Sequence, residues 1–252
     1  MDEAELVKKR LIELSERAYT GGVYEFTDFL GLMEQNILRS AARSEFPHVH
    51  YETFGGARGC ERVMARFGDP EELGYTVDYP IAALAVRPRS EKYAEELTHR
   101  DYLGALMNLG IKRETLGDIP RAGLGAYIFV KEELADFVCG SLTRVRHTDV
   151  TVSRAGSVPE EVLFRTEETI VKAESERLDG VIAKLYDLSR EEAKNLFVRS
   201  LVFCDGASVA SPSYLPKPGE TVSVRGHGRF IYRGHISDTK KGKMNILVLR
   251  YV

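Results

Sequence analysis

Apolar residues along this chain follow two periods, and each change of period marks the edge of an element. Residues 4–19 set Leu6, Leu11, Ile12 and Leu14 among Lys8, Lys9 and Arg10, which predicts an amphipathic helix stopped by Gly21-Gly22. A second helix is predicted from Thr27, as its N-cap, through Phe29, Leu30, Met33 and Ile37 to about Ala42. After Pro47, residues 48–54 alternate as a strand does. Gly55, Gly56 and Gly59 then mark a turn ahead of a short helix over residues 60–67.

A second unit begins near Pro80. It has a strand at 81–86, a helix at 101–109 with Leu103, Leu106, Met107 and Leu109 inward, and a short strand at 115–119. A stronger strand at 126–130 follows, then a helix at 132–145 with Leu134, Phe137, Val138 and Leu142 on its core side, and a last strand at 149–154. The order β-α-β-β-α-β implies a four-stranded antiparallel sheet with two helices on one face, a ferredoxin-like arrangement. RNA-recognition-motif domains share that layout, yet Gly123 to Val130 matches their basic-Gly-aromatic run poorly. Residues 156–176, with Pro159 and many charges, read as a connection. It is either a flexible hinge or an ordered brace in which Val162-Leu163-Phe164 pairs with Thr169 to Ala173.

The C-terminal stretch has the most specific pattern. Leu178, Val181, Ile182 and Leu185 recur at i, i+3, i+4 and i+7, which leaves Arg177 and Lys184 off the apolar stripe. Ser189-Arg190-Glu191-Glu192 is a Ser-x-x-Glu capping box opening a second helix. Ala193, Leu196 and Phe197 form that helix's core face, with Lys194 and Arg199 outside. Leu201 to Cys204 is a strand, Asp205-Gly206 a hairpin turn, and Thr221 to Arg225 a further strand after Pro218-Gly219-Glu220.

Arg177-Leu178-Asp179, Ser189-Arg190, Ala193, Asp205-Gly206, Pro218-Gly219-Glu220 and Val224-Arg225-Gly226 together resemble the S4-type RNA-binding domain, over about a quarter of the chain. Ser200 stands where that family usually has Gly, and Ala207 where it usually has a basic residue. Upstream, Leu97-Thr98-His99-Arg100-Asp101-Tyr102-Leu103-Gly104-Ala105-Leu106-Met107, Leu109-Gly110-Ile111-Lys112-Arg113, Leu116-Gly117-Asp118-Ile119 and Ala126-Tyr127-Ile128-Phe129-Val130 extend the likeness. With the tail, they resemble the YlmH family of bacterial and plastid proteins. The resemblance implies an N-terminal domain, a ferredoxin-like middle domain and an S4-type tail. It also implies a link with ribosomes, including stalled large-subunit particles carrying peptidyl-tRNA, and with cell division.

Charge supports placing RNA contacts at the C-terminus. The net charge is −3, but residues 175–252 hold 13 Lys plus Arg against 8 Asp plus Glu, and residues 1–174 hold 22 against 30. With 252 residues and 43% apolar content, the chain is long enough for more than one core. No apolar run approaches the roughly 20 residues of a membrane span, and the acidic start has no signal-peptide pattern. Cys60, Cys139 and Cys204 are too scattered for a disulfide framework or a zinc site, so a cytoplasmic protein is expected.

Catalytic patterns are weak. His99, Arg100 and Asp101 are neighbours at a helix start, where capping by Thr98 or His99 and an Asp101 contact with the helix N-terminus account for them. His48, His50 and Glu52 share a strand face without a His-Glu-x-x-His or Cys partner. The Gly cluster at 55–59 lacks the ending of a phosphate-binding loop. The expected organisation is α+β and multidomain: an N-terminal α+β domain at 1–76, the ferredoxin-like domain at 77–158, a linker at 159–174 and the S4-type domain at 175–252. The expected RNA contacts are Arg177, Lys184, Ser189, Arg190, Lys194, Arg199, Arg225, Arg229 and Arg233, with His99, Arg100 and Arg113 as a secondary set. Asp179 is expected to brace Arg177 or a backbone N–H. The expected function is non-enzymatic binding of ribosomal RNA or tRNA on the large subunit, without cofactor, metal, membrane or small-molecule substrate. The alternatives are an RNA-modifying enzyme, such as a pseudouridine synthase or methyltransferase, and a protein adaptor for cell division.

Overall fold

The computed structural model describes residues 3–159, 162, 166–239 and 242–251. Its chain contacts divide it into two units, Met1–Phe164 and Arg165–Val252.

The first unit opens with α1 (Glu3–Gly21), which buries Leu11, Leu14, Ser15 and Ala18, one stripe at helical spacing. Leu6, assigned to that stripe from sequence, is 49% exposed; the buried row instead includes Ser15, whose hydroxyl donates to the Ile12 carbonyl at 2.8 Å. The next helix, α2 (Leu32–Ser44), begins four residues later than expected, with Gly31 and not Thr27 at its N-cap. Glu34 accepts the Gly31 N–H at 2.5 Å, while Thr27 is buried and accepts the Ala65 N–H at 2.8 Å. Thr27 therefore anchors a strand and not a helix. Strands β1 (Glu25–Phe26), β2 (Tyr51–Phe54) and β3 (Met64–Phe67) form a sheet in the order β1-β3-β2. The helix expected at 60–67 is thus replaced by β3, the central and fully buried strand, and α3 (Pro70–Leu73) follows it.

The same unit continues with β4 (Ile81–Pro88), α4 (His99–Asn108), β5 (Arg121–Ala122), β6 (Gly125–Lys131), α5 (Ala135–Ser141), β7 (Arg144–Val145) and β8 (Thr148–Arg154). The sheet order is β5-β6-β4-β8-β7, with β4 antiparallel to both neighbours. The strand expected at 115–119 is reduced to a bridge between Leu116 and Val130 and two ladder bonds, Gly117 N–H to Phe129 O at 2.8 Å and Phe129 N–H to Asp118 O at 3.0 Å. Helices α4 and α5 cover one face through Tyr102, Leu106, Ala135 and Val138. On the other face Phe129 joins Phe29 and Met64 in a core shared with the N-terminal sheet, so the expected boundary near residue 76 lies inside one packed unit. Gly56 belongs to this junction. Its φ is +97°, and a Cβ there would lie 2.4 Å from the Phe129 ring, which explains the glycine by packing and not by phosphate binding.

The second unit comprises β9 (Thr166–Ala173), α6 (Leu178–Leu185), α7 (Arg190–Val198), β10 (Val202–Cys204), β11 (Ala207–Ser208), β12 (Thr221–Val224), β13 (Gly228–Asp238) and β14 (Met244–Tyr251). They make one antiparallel sheet, ordered β11-β10-β12-β13-β14-β9. Residues 166–173, assigned to a linker from sequence, are its outer strand, paired with β14 from Thr166–Tyr251 to Ala173–Met244. The expected pairing partners Leu163 and Phe164 lie outside the described residues. Alternation places Val171, Val222, Val224, Phe230, Tyr232, Ile246 and Val248 on one face, in a single core with Leu178, Val181, Ile182, Ala193, Leu196 and Phe197 of the helices.

Candidate nucleic-acid interface

The helix pair is held by local devices that the sequence specifies. Ser189 accepts the Glu192 N–H at 3.1 Å and Glu192 accepts the Ser189 N–H at 2.8 Å, the reciprocal cap expected. Those bonds hold the Glu192 carboxyl below its usual pKa. Both helices end on a residue in the left-handed region, Asp187 (φ +53°) and Ser200 (φ +53°). Behind each, an amide turns back: Leu188 N–H to Ala183 O at 2.8 Å, and Leu201 N–H to Leu196 O at 2.9 Å. With Asp205 (φ +46°) and Gly206 (φ +82°) both left-handed, the turn between β10 and β11 is the expected tight hairpin, and the Asp205 carboxylate accepts the Thr221 N–H at 2.9 Å.

The predicted contacts fall into separate groups. Lys184, Ser189, Arg190, Lys194 and Arg199 are all exposed on the helix pair. Arg190 reaches Glu174 at 2.6 Å on the surface. Arg177 points at Asp179, a nearly buried carboxylate that also accepts the Gly180 N–H at 2.9 Å; that pairing raises the Arg177 pKa. Asp179 thus braces both groups offered from sequence. Arg225 and Arg229 do not continue this track. Ser223 pairs with Arg229 in register, one step from the core pair Val222 and Phe230, so both arginines lie on the sheet face away from the helices. Arg233 sits at a bulge between Tyr232 and Gly234 and is exposed.

Three residues near the helix pair carried no sequence signal. Arg250 lies 5.8 Å from the Tyr186 ring centre, and the His227 ring lies 5.5 Å from that of Tyr186, tilted by 45°. They meet only because β14 pairs with β13 so that Arg250 faces Phe230. Burial pushes the Tyr186 hydroxyl up to about 12.

The secondary set is divided as well. Thr98 caps α4, and Asp101 accepts its N–H at 2.8 Å and its hydroxyl at 2.7 Å. His99 and Arg100 are at the surface; packing, then the Arg113 and Arg100 charges, hold His99 below the usual imidazole range. Arg113, expected as a possible secondary contact, is half-buried and donates to Leu116 O at 2.8 Å and Gly117 O at 3.2 Å. Burial, then the neighbouring Arg62, brings it down to about 10. Arg62 donates to Leu116 O at 2.9 Å and Phe29 O at 2.7 Å, and Asp118 accepts the Glu61 N–H at 2.5 Å. This network joins the N-terminal sheet to the middle sheet. His50 and Glu52 are 3.9 Å apart, but Glu52 is engaged by Arg66 at 2.5 Å. Among the described residues no three His, Cys, Asp or Glu side chains are placed to share a metal ion, and no helix is long and apolar enough to cross a membrane.

The chain is similar to known proteins in sequence and in fold. A family described as "Putative RNA-binding domain in YlmH" matches residues 75–157. The ribosome-associated protein quality control protein P2 of Bacillus subtilis is 30% identical over 230 residues, spanning 88% of this chain and 85% of that protein. The cell division protein ylmH from Streptococcus pneumoniae superposes with a TM-score of 0.50 at 19% identity, covering 62% of this chain and 92% of the other.

Proposed function

Because this chain belongs to the YlmH family, we propose that it is a non-enzymatic RNA-binding protein that acts on the ribosome through the helix pair of its C-terminal unit. In this reading the unit is an S4-type module. Supporting that are the two capped helices on one sheet face, the Asp205-Gly206 hairpin and the Pro218-Gly219 turn, each where the family pattern has it. The middle sheet is ferredoxin-like: the 116–118 segment, β6, β4 and β8 lie side by side, in the order that a β-α-β-β-α-β chain requires.

The observation that carries the proposal is the set of exposed cations Lys184, Arg190, Lys194 and Arg199 on a helix pair whose apolar side is packed into the core. Cations so placed contact phosphates along a helical RNA, fixing position without reading bases, because A-form RNA hides its base edges. Helix N-termini at Leu178 and Arg190 add partial positive charge. The partner is ribosomal RNA or tRNA on the large subunit, and a particle stalled with peptidyl-tRNA is the occasion the family points to.

Sedimentation of the full chain with purified ribosomal subunits tests this. The Lys184→Ala/Lys194→Ala/Arg199→Ala variant should leave the large-subunit fraction while keeping its circular dichroism spectrum. Undiminished co-sedimentation of that variant would reject the proposal.

A further inference from the structure

The face of the C-terminal sheet turned away from the helices carries its own row of chemistry. The Arg225 guanidinium lies over the Phe203 ring at 4.6 Å, and the Arg229 guanidinium over the Tyr251 ring at 4.8 Å. Register makes these neighbours: Phe203 pairs with Ser223, Ser223 with Arg229, and Tyr251 follows Arg250, which faces Phe230. The next rows on this face are apolar, with Ile231 beside Leu249, and Leu247 beside Ile170, which is 55% exposed. At its strand positions and the Arg225 turn the face carries Arg225, Arg229 and Lys172 against the single carboxylate Glu168.

A guanidinium held over an aromatic ring is restrained there; Arg225 is exposed beyond its ring and Arg229 is half-buried. That is a platform on which an unpaired base stacks, with cations beside it for the adjoining phosphates. A helical RNA keeps its bases covered and cannot use such a platform.

We propose that this outer sheet face is a second RNA-binding surface, taking unpaired nucleotides on the Arg225–Phe203 and Arg229–Tyr251 stacks, while the opposite helical face takes the folded RNA. The proposal rests on the RNA-binding reading above and adds a ligand class and a location to it. The sheet separates the two surfaces, so each is removable without the other.

The test uses the full chain with two labelled probes, an oligouridylate of about 12 nucleotides and an RNA hairpin without unpaired ends whose loop is replaced by a non-nucleotide linker, followed by fluorescence anisotropy over a salt series. The Arg225→Lys/Arg229→Lys variant keeps both charges and loses both planar stacks. It should bind the oligouridylate about tenfold more weakly with an unchanged salt slope, and bind the hairpin as before. Lys184→Ala/Lys194→Ala should do the reverse. Urea unfolding of each variant establishes that the fold is retained, and Arg225→Lys alone, at the exposed turn, gives a second reading if the double variant is unstable. Equal oligouridylate affinity for the lysine variants would overturn the inference. So would a wild-type chain that binds the hairpin alone, which leaves the RNA-binding reading intact. A wild-type chain that binds neither probe overturns both.

Discussion

Arg177 and Asp179 form a two-pronged pair, Nε to Oδ1 at 3.1 Å and Nη2 to Oδ2 at 3.0 Å, at the start of the first C-terminal helix. Because Asp179 is nearly buried and also takes the Gly180 N–H, Arg177 serves that carboxylate first. Removing it leaves a buried acceptor without its charge partner. Arg177→Ala should therefore lower the urea midpoint of the C-terminal unit more than it lowers RNA affinity. The opposite ranking, a large affinity loss with stability unchanged, would make Arg177 a direct RNA contact.

The surface pair of Arg190 with Glu174 gives a prediction of opposite sign. Both side chains are well exposed, so the pair adds little to stability. It does hold the guanidinium away from a phosphate. Glu174→Ala should tighten RNA binding. Arg190→Ala should weaken it and reduce the magnitude of the log–log salt slope by roughly 0.7 to 0.9. Titrations of both variants from low to moderate salt would measure this, and parallel slopes for Arg190→Ala and wild type would remove Arg190 from the contact set.

Ser200 occupies the position where the second helix reverses, with φ +53° and its own N–H bonded to Phe197 O at 3.0 Å. A side chain there is strained, whereas glycine adopts that conformation freely. Ser200→Gly should stabilise the C-terminal unit by about 0.5 to 1 kcal/mol, allowing for glycine's greater freedom when unfolded. In contrast, Ser189→Ala at the start of the same helix removes the cap and should cost about 1 kcal/mol. Equilibrium urea curves on the two variants decide both signs.

These helix ends also show what could be read from the chain alone. The Ser189–Glu192 box, the Asp205-Gly206 hairpin and the alternation of β12 are local, since each is set by residues a few positions apart, and all appear in the structure where the pattern puts them. Elsewhere distant partners decide. Met64 to Phe67 has no strand-like alternation because both of its faces are covered, and Thr27 is claimed by the Ala65 amide before it can cap a helix. Residues 166–173 resemble a charged linker until β14 supplies the partner for them. The same limit governs the site. Outward cations of a helix follow from its period, but the face on which Arg225 and Arg229 lie, and the meeting of Arg250 with Tyr186, depend on strand register that no single segment encodes.

Asp118 provides a pH test of the first unit. It is half-buried where the N-terminal and middle sheets meet, and burial pushes its pKa up to about 6, against the amide bond and the Arg62 and Arg113 charges that pull it down. An acid whose folded pKa lies above its unfolded value of 3.8 binds its proton more tightly when folded. Its contribution is therefore most favourable below about pH 4 and declines as pH rises to about 6, by at most about 3 kcal/mol. Asp118→Asn keeps an acceptor for the Glu61 N–H and removes the titration. The stability of Asp118→Asn relative to wild type, from amide hydrogen exchange within residues 1–164, should thus grow between pH 4 and pH 7. A difference that stays flat, or shrinks, across that range would mean that the two arginines outweigh burial and that Asp118 is ionised throughout.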